Sequence, residues 1–190
     1  MNCRRHILIG LPWLALCAVA IGLFQPVAAR AEITPEYKVK AVYLLNIVRF
    51  VKWPTNAFRA ADSPLVIGIL GENPFDNELD RLMNGKIVGG RTVTVKRVAM
   101  VADAKACQVF FIPASERANL PLHLATLRNA PVLTIGESAE FLDDGGVIEF
   151  FVEQNKIRFN INQAQADAQG IQLDSQLLNL ANTVRKPEAK

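Results

Sequence analysis

From Thr34 to Trp53 the apolar positions advance in steps of three and four, the spacing of a helix. Thr34-Pro35-Glu36 starts it with a capping hydroxyl, a proline at the first helical position and an acid in the first turn. Pro54 disfavours helical geometry in Trp53, so the helix is predicted to run to about Lys52. One apolar stripe holds Tyr37, Ala41, Leu44, Val48 and Val51, and a second holds Val39, Tyr43, Asn46, Phe50 and Trp53. At 100° per residue the two lie on nearly opposite sides, with Lys38, Arg49 and Lys52 on a narrow polar strip between them. A surface helix needs one apolar stripe. The second, through Tyr43, Asn46, Phe50 and Trp53, is expected to meet either a second layer of the domain or a partner.

Beyond Pro64, short apolar runs alternate with helical patterns. Leu65 to Leu70, an extended segment through Val93, Val95 and Val98, Cys107 to Ile112, and Pro131 to Ile135 read as strands. Helices are predicted from Asn73-Pro74 to Gly85 and from Ser115 to Arg128, with a short turn over Ala139 to Leu142. Near-continuous apolar strands separated by helices imply an α/β fold. Its sheet is mostly parallel, Rossmann-like, and covered by helices on both faces. After Gly145-Gly146 the period becomes two. Ile148, Phe150 and Val152, then Ile157, Phe159 and Ile161, form the apolar face of an antiparallel hairpin turning at Gln154-Asn155. Pairing Glu153 with Lys156 puts Phe151 opposite Arg158 and Glu149 opposite Asn160. Asp174 or Ser175 caps a last helix carrying Leu177, Leu178, Ala181 and Val184.

The first 31 residues form a separate unit. Arg4 and Arg5, an apolar run from Ile7 to Phe24 broken by Pro12 and Gly22, and Ala29-Arg30-Ala31 make a secretory signal. Cleavage is expected before Glu32, giving a periplasmic protein that does not itself span the membrane. A single α/β domain over residues 32–185 and a solvated tail over 186–190 follow. Arg4, Arg5 and Arg30 leave with the signal and no acidic residue does, so the 21 basic residues of the whole chain fall to 18, matching the 18 acidic ones. That balance excludes a nucleic-acid surface, which needs clustered excess cations.

The mature chain is poor in catalytic side chains. Cys3 and Cys17 belong to the leader, so Cys107 is left without an intrachain partner and reads as an unpaired core thiol. His123 is the one mature histidine and sits within a predicted helix, where no triad or metal-ligand spacing surrounds it. Gly68 and Gly71 do not form a dinucleotide fingerprint, no phosphate-binding loop is present, and Asp143-Asp144-Gly145-Gly146 is turn chemistry. No catalytic residue, metal or cofactor is expected. The polar hairpin face, chiefly Glu149, Arg158 and Asn160, is the one cluster suited to recognition, with a Glu149–Arg158 ion pair expected across it.

The segment Lys40-Ala-Val-Tyr-Leu-Leu-Asn-Ile-Val-Arg-Phe-Val-Lys-Trp-Pro54 resembles the opening motif of the YfiR family. The resemblance continues through 64–71, 131–134, 145–150, 157–162 and 175–181. It implies a non-enzymatic periplasmic α/β protein that engages the periplasmic sensor domain of a membrane-bound diguanylate cyclase. Such a protein represses cyclic-di-GMP synthesis and, through it, affects biofilm formation and motility. An outer-membrane lipoprotein that sequesters the repressor is a further implied partner, and a homodimer is expected. The family's best-known members carry cysteine pairs, one of them using a position in the first strand that is Gly68 here, so redox control is in doubt for this chain. A different class, a periplasmic small-ligand receptor feeding a sensor kinase or cyclase, stays open. It requires an enclosed pocket with converging polar groups, whereas a contact regulator requires an exposed apolar face.

Overall fold

A computed structural model describes residues 35–187; the signal, the Thr34 cap and residues 188–190 lie outside the described residues. Helix α1 (Pro35–Arg49) leads into β1 (Val51–Lys52) and then β2 (Leu65–Leu70). Next come α2 (Glu78–Met83), β3 (Ile87–Val88), β4 (Arg91–Val98) and β5 (Val109–Ile112). Helix α3 (Leu120–Leu127), β6 (Leu133–Gly136), β7 (Ile148–Glu153) and β8 (Lys156–Asn162) follow. The chain closes with α4 (Gln163–Ala168), β9 (Gln172–Leu173), α5 (Ser175–Leu180) and β10 (Thr183–Arg185).

Eight strands form one sheet in the order β10-β8-β7-β6-β5-β2-β4-β3, and β1 and β9 form a small antiparallel pair beside it. Within the large sheet only β7/β8 and β3/β4 are antiparallel. Alternate residues feed two cores. Ile67, Ile69, Phe111, Ile135, Phe150 and Phe159 pack under α1, α2, α4 and α5. Val66, Leu70, Phe110 and Ile112 pack on the other face with Leu120, Leu124 and Leu127 of α3. This is the mostly parallel, doubly covered α/β fold that the apolar runs imply.

Several boundaries differ from the sequence reading. Helix α1 stops at Arg49, where Phe50 N–H closes a last turn on the Ile47 carbonyl at 2.9 Å. Val51 and Lys52 then pair with Leu173 and Gln172. Val51 and Lys52 are therefore off the helix, because pairing with β9 overrides a helical continuation that had only local propensity in its favour. Pro121 divides the Ser115–Arg128 segment into a 3₁₀ stretch, Ala114–Asn119, and α3. Val184 leaves the last helix for β10, whose partner is β8. Helix α4 was unexpected. Its sequence is short and polar, and it is held by Asn162, whose Oδ1 accepts the Gln165 N–H at 3.1 Å. The hairpin register matches the reading: Glu153 opposes Lys156, Phe151 opposes Arg158 and Glu149 opposes Asn160. Gln154 and Asn155, with φ of 49° and 58°, make its turn.

Candidate functional site

The carboxyl ends of the parallel strands are the usual ligand site in this architecture, especially where strand order reverses. Here the reversal lies at β2, with β4 on one side and β5 on the other. A crevice of about 230 Å³ opens beside it, lined by Tyr37, Glu72, Pro113, Ser115 and Glu137. Lys40, 3% exposed, forms ion pairs with Glu36 and with Glu137, whose side chain is 6% exposed. Glu137 also accepts the Tyr37 hydroxyl at 2.8 Å and the Ala114 N–H at 2.9 Å. The Lys40 ammonium lies 4.6 Å from the Tyr37 ring centroid. Burial first, then the Glu137 charge, pushes the Tyr37 phenol well above its ordinary value. The Glu137 carboxylate is satisfied by the protein's own donors, so this cluster closes the crevice floor rather than offering a ligand a free group. Sequence reasoning passed over Lys40. The available signal was a lysine on the buried side of α1, four residues after Glu36.

The open concavity lies at the other side of α1. Val39 and Tyr43, the hairpin residues Val152, Ile157 and Arg158, and Leu180 of α5 line a groove of about 620 Å³. Three of its apolar side chains face water, with Val39 44%, Val152 53% and Leu180 67% exposed. The groove follows an unfinished strand edge. Strand β10 begins pairing with β8 at Thr183–Asn160, preceded by an Asn182 N–H bond to the Phe159 carbonyl at 2.8 Å. Lys156 to Arg158 therefore extend beyond it. Tyr43 forms the groove's inner wall. Its ring packs edge-on against Phe150 and Phe159, with centroids 6.0 and 5.9 Å away, and its hydroxyl donates to the Ile157 carbonyl at 3.2 Å.

The seven residues singled out in the sequence do not converge. Tyr43 and Arg158 line the groove. Asn46 is exposed elsewhere on α1, and Phe50 is half-buried against the main core. Trp53 donates its indole N–H to the Gln108 carbonyl at 2.9 Å. Glu149, 8% exposed, accepts from the Asn160 amide at 2.9 Å. The expected Glu149–Arg158 pair is absent, since the Arg158 Nε lies 2.6 Å from Glu153 without hydrogen-bond alignment. Both carboxylates are diagonal to Arg158. The guanidinium takes the one at the hairpin tip, where both charges stay hydrated, while Asn160 satisfies the buried one.

Cys107 is buried and unpaired. Burial pushes its thiol up to about 11, the chemistry of an inert core cysteine. His123 lies 3.2 Å from Glu116, and its Nδ1 has no partner. Among the described residues no group of His, Cys, Asp and Glu side chains is arranged to hold a metal ion. No helix among them is long and apolar enough to cross a membrane.

The fold defines an α/β domain of the doubly wound class. A conserved domain protein from Vibrio cholerae O1 biovar eltor shares that fold at 12% identity, with a TM-score of 0.51 over 78% of this chain and 60% of its own. The ABC domain in complex with L-Trp from Streptococcus pneumonia, also 12% identical, gives a TM-score of 0.46 over 63% of this chain and 55% of its own. The chain thus spans less than two thirds of either structure. No curated protein matches it.

The chain belongs to the YfiR/HmsC-like family, whose model matches residues 37–182. That family is regulatory and periplasmic and is tied to cyclic-di-GMP signalling.

Proposed function

We propose that this protein represses a membrane-bound diguanylate cyclase by binding its periplasmic sensor domain through the groove along β8. The reading rests on one observation within a YfiR/HmsC-like chain: water-exposed Val39, Val152 and Leu180 converge on an unfinished strand edge. An extended partner segment adds to such an edge by sharing the Ile157 carbonyl with the Tyr43 hydroxyl, and seats alternate apolar side chains in the groove. Lys156 and Arg158, set against Glu36, leave the lining with one positive charge in excess, which favours a segment carrying carboxylates. The groove is open rather than enclosing, which favours a contact regulator over the small-ligand receptor at this site.

The test uses Leu180→Asp and Val152→Asp, exposed changes that leave the core intact, together with Arg158→Ala. Each is measured for its thermal midpoint, for binding to the purified periplasmic sensor domain of a membrane-bound diguanylate cyclase from the same cell, and for cellular cyclic-di-GMP. The Asp variants are expected to melt like wild type, to weaken binding at least about tenfold, and to raise cyclic-di-GMP. Arg158→Ala should act in the same direction with a smaller effect. Wild-type binding and repression by both Asp variants would remove the groove from the mechanism.

A further inference from the structure

The opposite end of the sheet carries a second concavity of different character. The loop over residues 54–64, the amino ends of β2 and β5, β4, and the 3₁₀ turn Val101–Ala106 border an open cleft of about 750 Å³. Phe58, Pro64 and Val66 supply an apolar wall. Arg59 from the loop, Lys96 from β4 and Lys105 from the turn stand around it, against the single carboxylate of Asp103. Among the described residues none of these three cations forms an ion pair, so each keeps its charge free toward the cleft. A chain whose mature acidic and basic residues balance therefore concentrates a formal charge of +2 in one cleft. Like charges in a concave, partly apolar setting repel, and the same field attracts an anion.

The floor is pre-formed. The Gln108 side chain accepts the Val66 N–H at 2.9 Å and donates to the Ala57 carbonyl at 2.5 Å, tying the loop to the sheet. The Arg91 guanidinium stacks 3.7 Å from the Phe58 ring centroid and donates to the Ser63 carbonyl at 2.6 Å. Arg59 thus projects from an anchored loop, so a ligand has little backbone to order on binding.

We propose that this cleft binds a small phosphate monoester with an apolar body. The head group carries about −1.5 to −2 at neutral pH and offers three acceptor oxygens to Arg59, Lys96 and Lys105, while the ester's carbon portion lies on Phe58, Pro64 and Val66. The cleft shares no lining residue with the β8 groove, and the assignment does not depend on the cyclase reading.

Phenyl phosphate is the probe, titrated by calorimetry into protein purified from the periplasm, with inorganic phosphate, phenol and sodium chloride at matched ionic strength beside it. Trp53 is the sole tryptophan after the leader, and its hydrogen bond to Gln108 makes its emission a local reporter. Saturable phenyl phosphate binding is expected, with a change in Trp53 emission, tighter than inorganic phosphate and without a counterpart for phenol or chloride. Lys96→Gln with Lys105→Gln, both exposed positions, should weaken it about tenfold or more at an unchanged thermal midpoint. Leu180→Asp should leave it unchanged, which separates this site from the groove. Absence of saturation, equal affinity for inorganic phosphate, or undiminished binding by the double lysine variant overturns the proposal.

Discussion

Replacing Gly68 by cysteine tests the packing of the second core in a single step. An added Cβ there would stand 2.8 Å from the Cys107 sulfur, 2.9 Å from Phe110 Cδ2 and 3.2 Å from Val98 Cγ2. In a disulfide, the Cβ of one half lies about 3 Å from the sulfur of the other, given an S–S bond near 2.04 Å. Gly68→Cys is therefore expected to bridge to Cys107 on export. The bridge closes a loop of about 40 residues, for which chain entropy gives about 4 kcal/mol. Crowding against Phe110 and Val98 costs about 1–3 kcal/mol in oxidised and reduced forms alike. The bridged variant should thus exceed wild type by about 1–3 kcal/mol, and its reduced form should fall below wild type by about 1–3 kcal/mol. At about 2–4 °C per kcal/mol for a chain of this size, reductant should lower the variant's melting temperature by about 8–16 °C. Wild type, whose Cys107 is unpaired among the described residues, should not respond. Thermal melts with and without dithiothreitol, paired with a free-thiol count, decide it. Two titratable thiols in the air-oxidised variant, or melting indifferent to reductant, would refute the placement of Gly68 over Cys107.

Two further outcomes follow from buried groups. Lys40→Met leaves the Glu137 carboxylate without its cation and should cost about 3–5 kcal/mol in urea unfolding, whereas Lys40→Met with Glu137→Leu should recover most of that loss; an exposed-pair value below about 1 kcal/mol for the single change would contradict the burial. The Cys107 thiol, raised from its ordinary value near 9 to about 11, holds its proton more tightly folded than unfolded. Its contribution is present below about pH 9 and lost as pH rises toward 11, and Tyr37 acts in the same direction. Stability should fall across that window, and Cys107→Ala should flatten part of the slope; an identical slope in the variant would remove the thiol from the effect.

The elements legible in the sequence are those whose cause is local. Period-two alternation and the Gln154-Asn155 turn determine the β7–β8 register, because a slip of one residue would turn Phe150 and Phe159 away from the core. The apolar runs of β2, β5 and β6 identify the parallel sheet because strands covered on both faces are apolar at nearly every position. Elements formed by distant pairing were not legible. Val51–Lys52 is a strand only because residues 172–173 arrive beside it, and Thr183–Arg185 only because β8 leaves an edge there. Tyr43 was found by helical periodicity, since its stripe does reach the hairpin. Leu180 was not, because an exposed leucine at a helix end carries no periodic signal until the fold places it beside Val39 and Val152.

Lys40 shows how such a non-local fact bears on function. Its position on the buried side of α1 requires a carboxylate from elsewhere in the chain, and Glu36, one turn earlier, is too exposed to serve alone. Glu137 supplies it from the end of β6, at the mouth where doubly wound sheets commonly receive ligands. Once Tyr37, Lys40 and the Ala114 N–H have taken the Glu137 oxygens, that carboxylate has little left to offer a substrate. Among the described residues, the unfinished edge of β8 and the cationic cleft at the amino ends of the strands are the two surfaces proposed above for recognition. What the two offer is exposed apolar side chains along the one and cations around the other, the groups on which binding by contact draws.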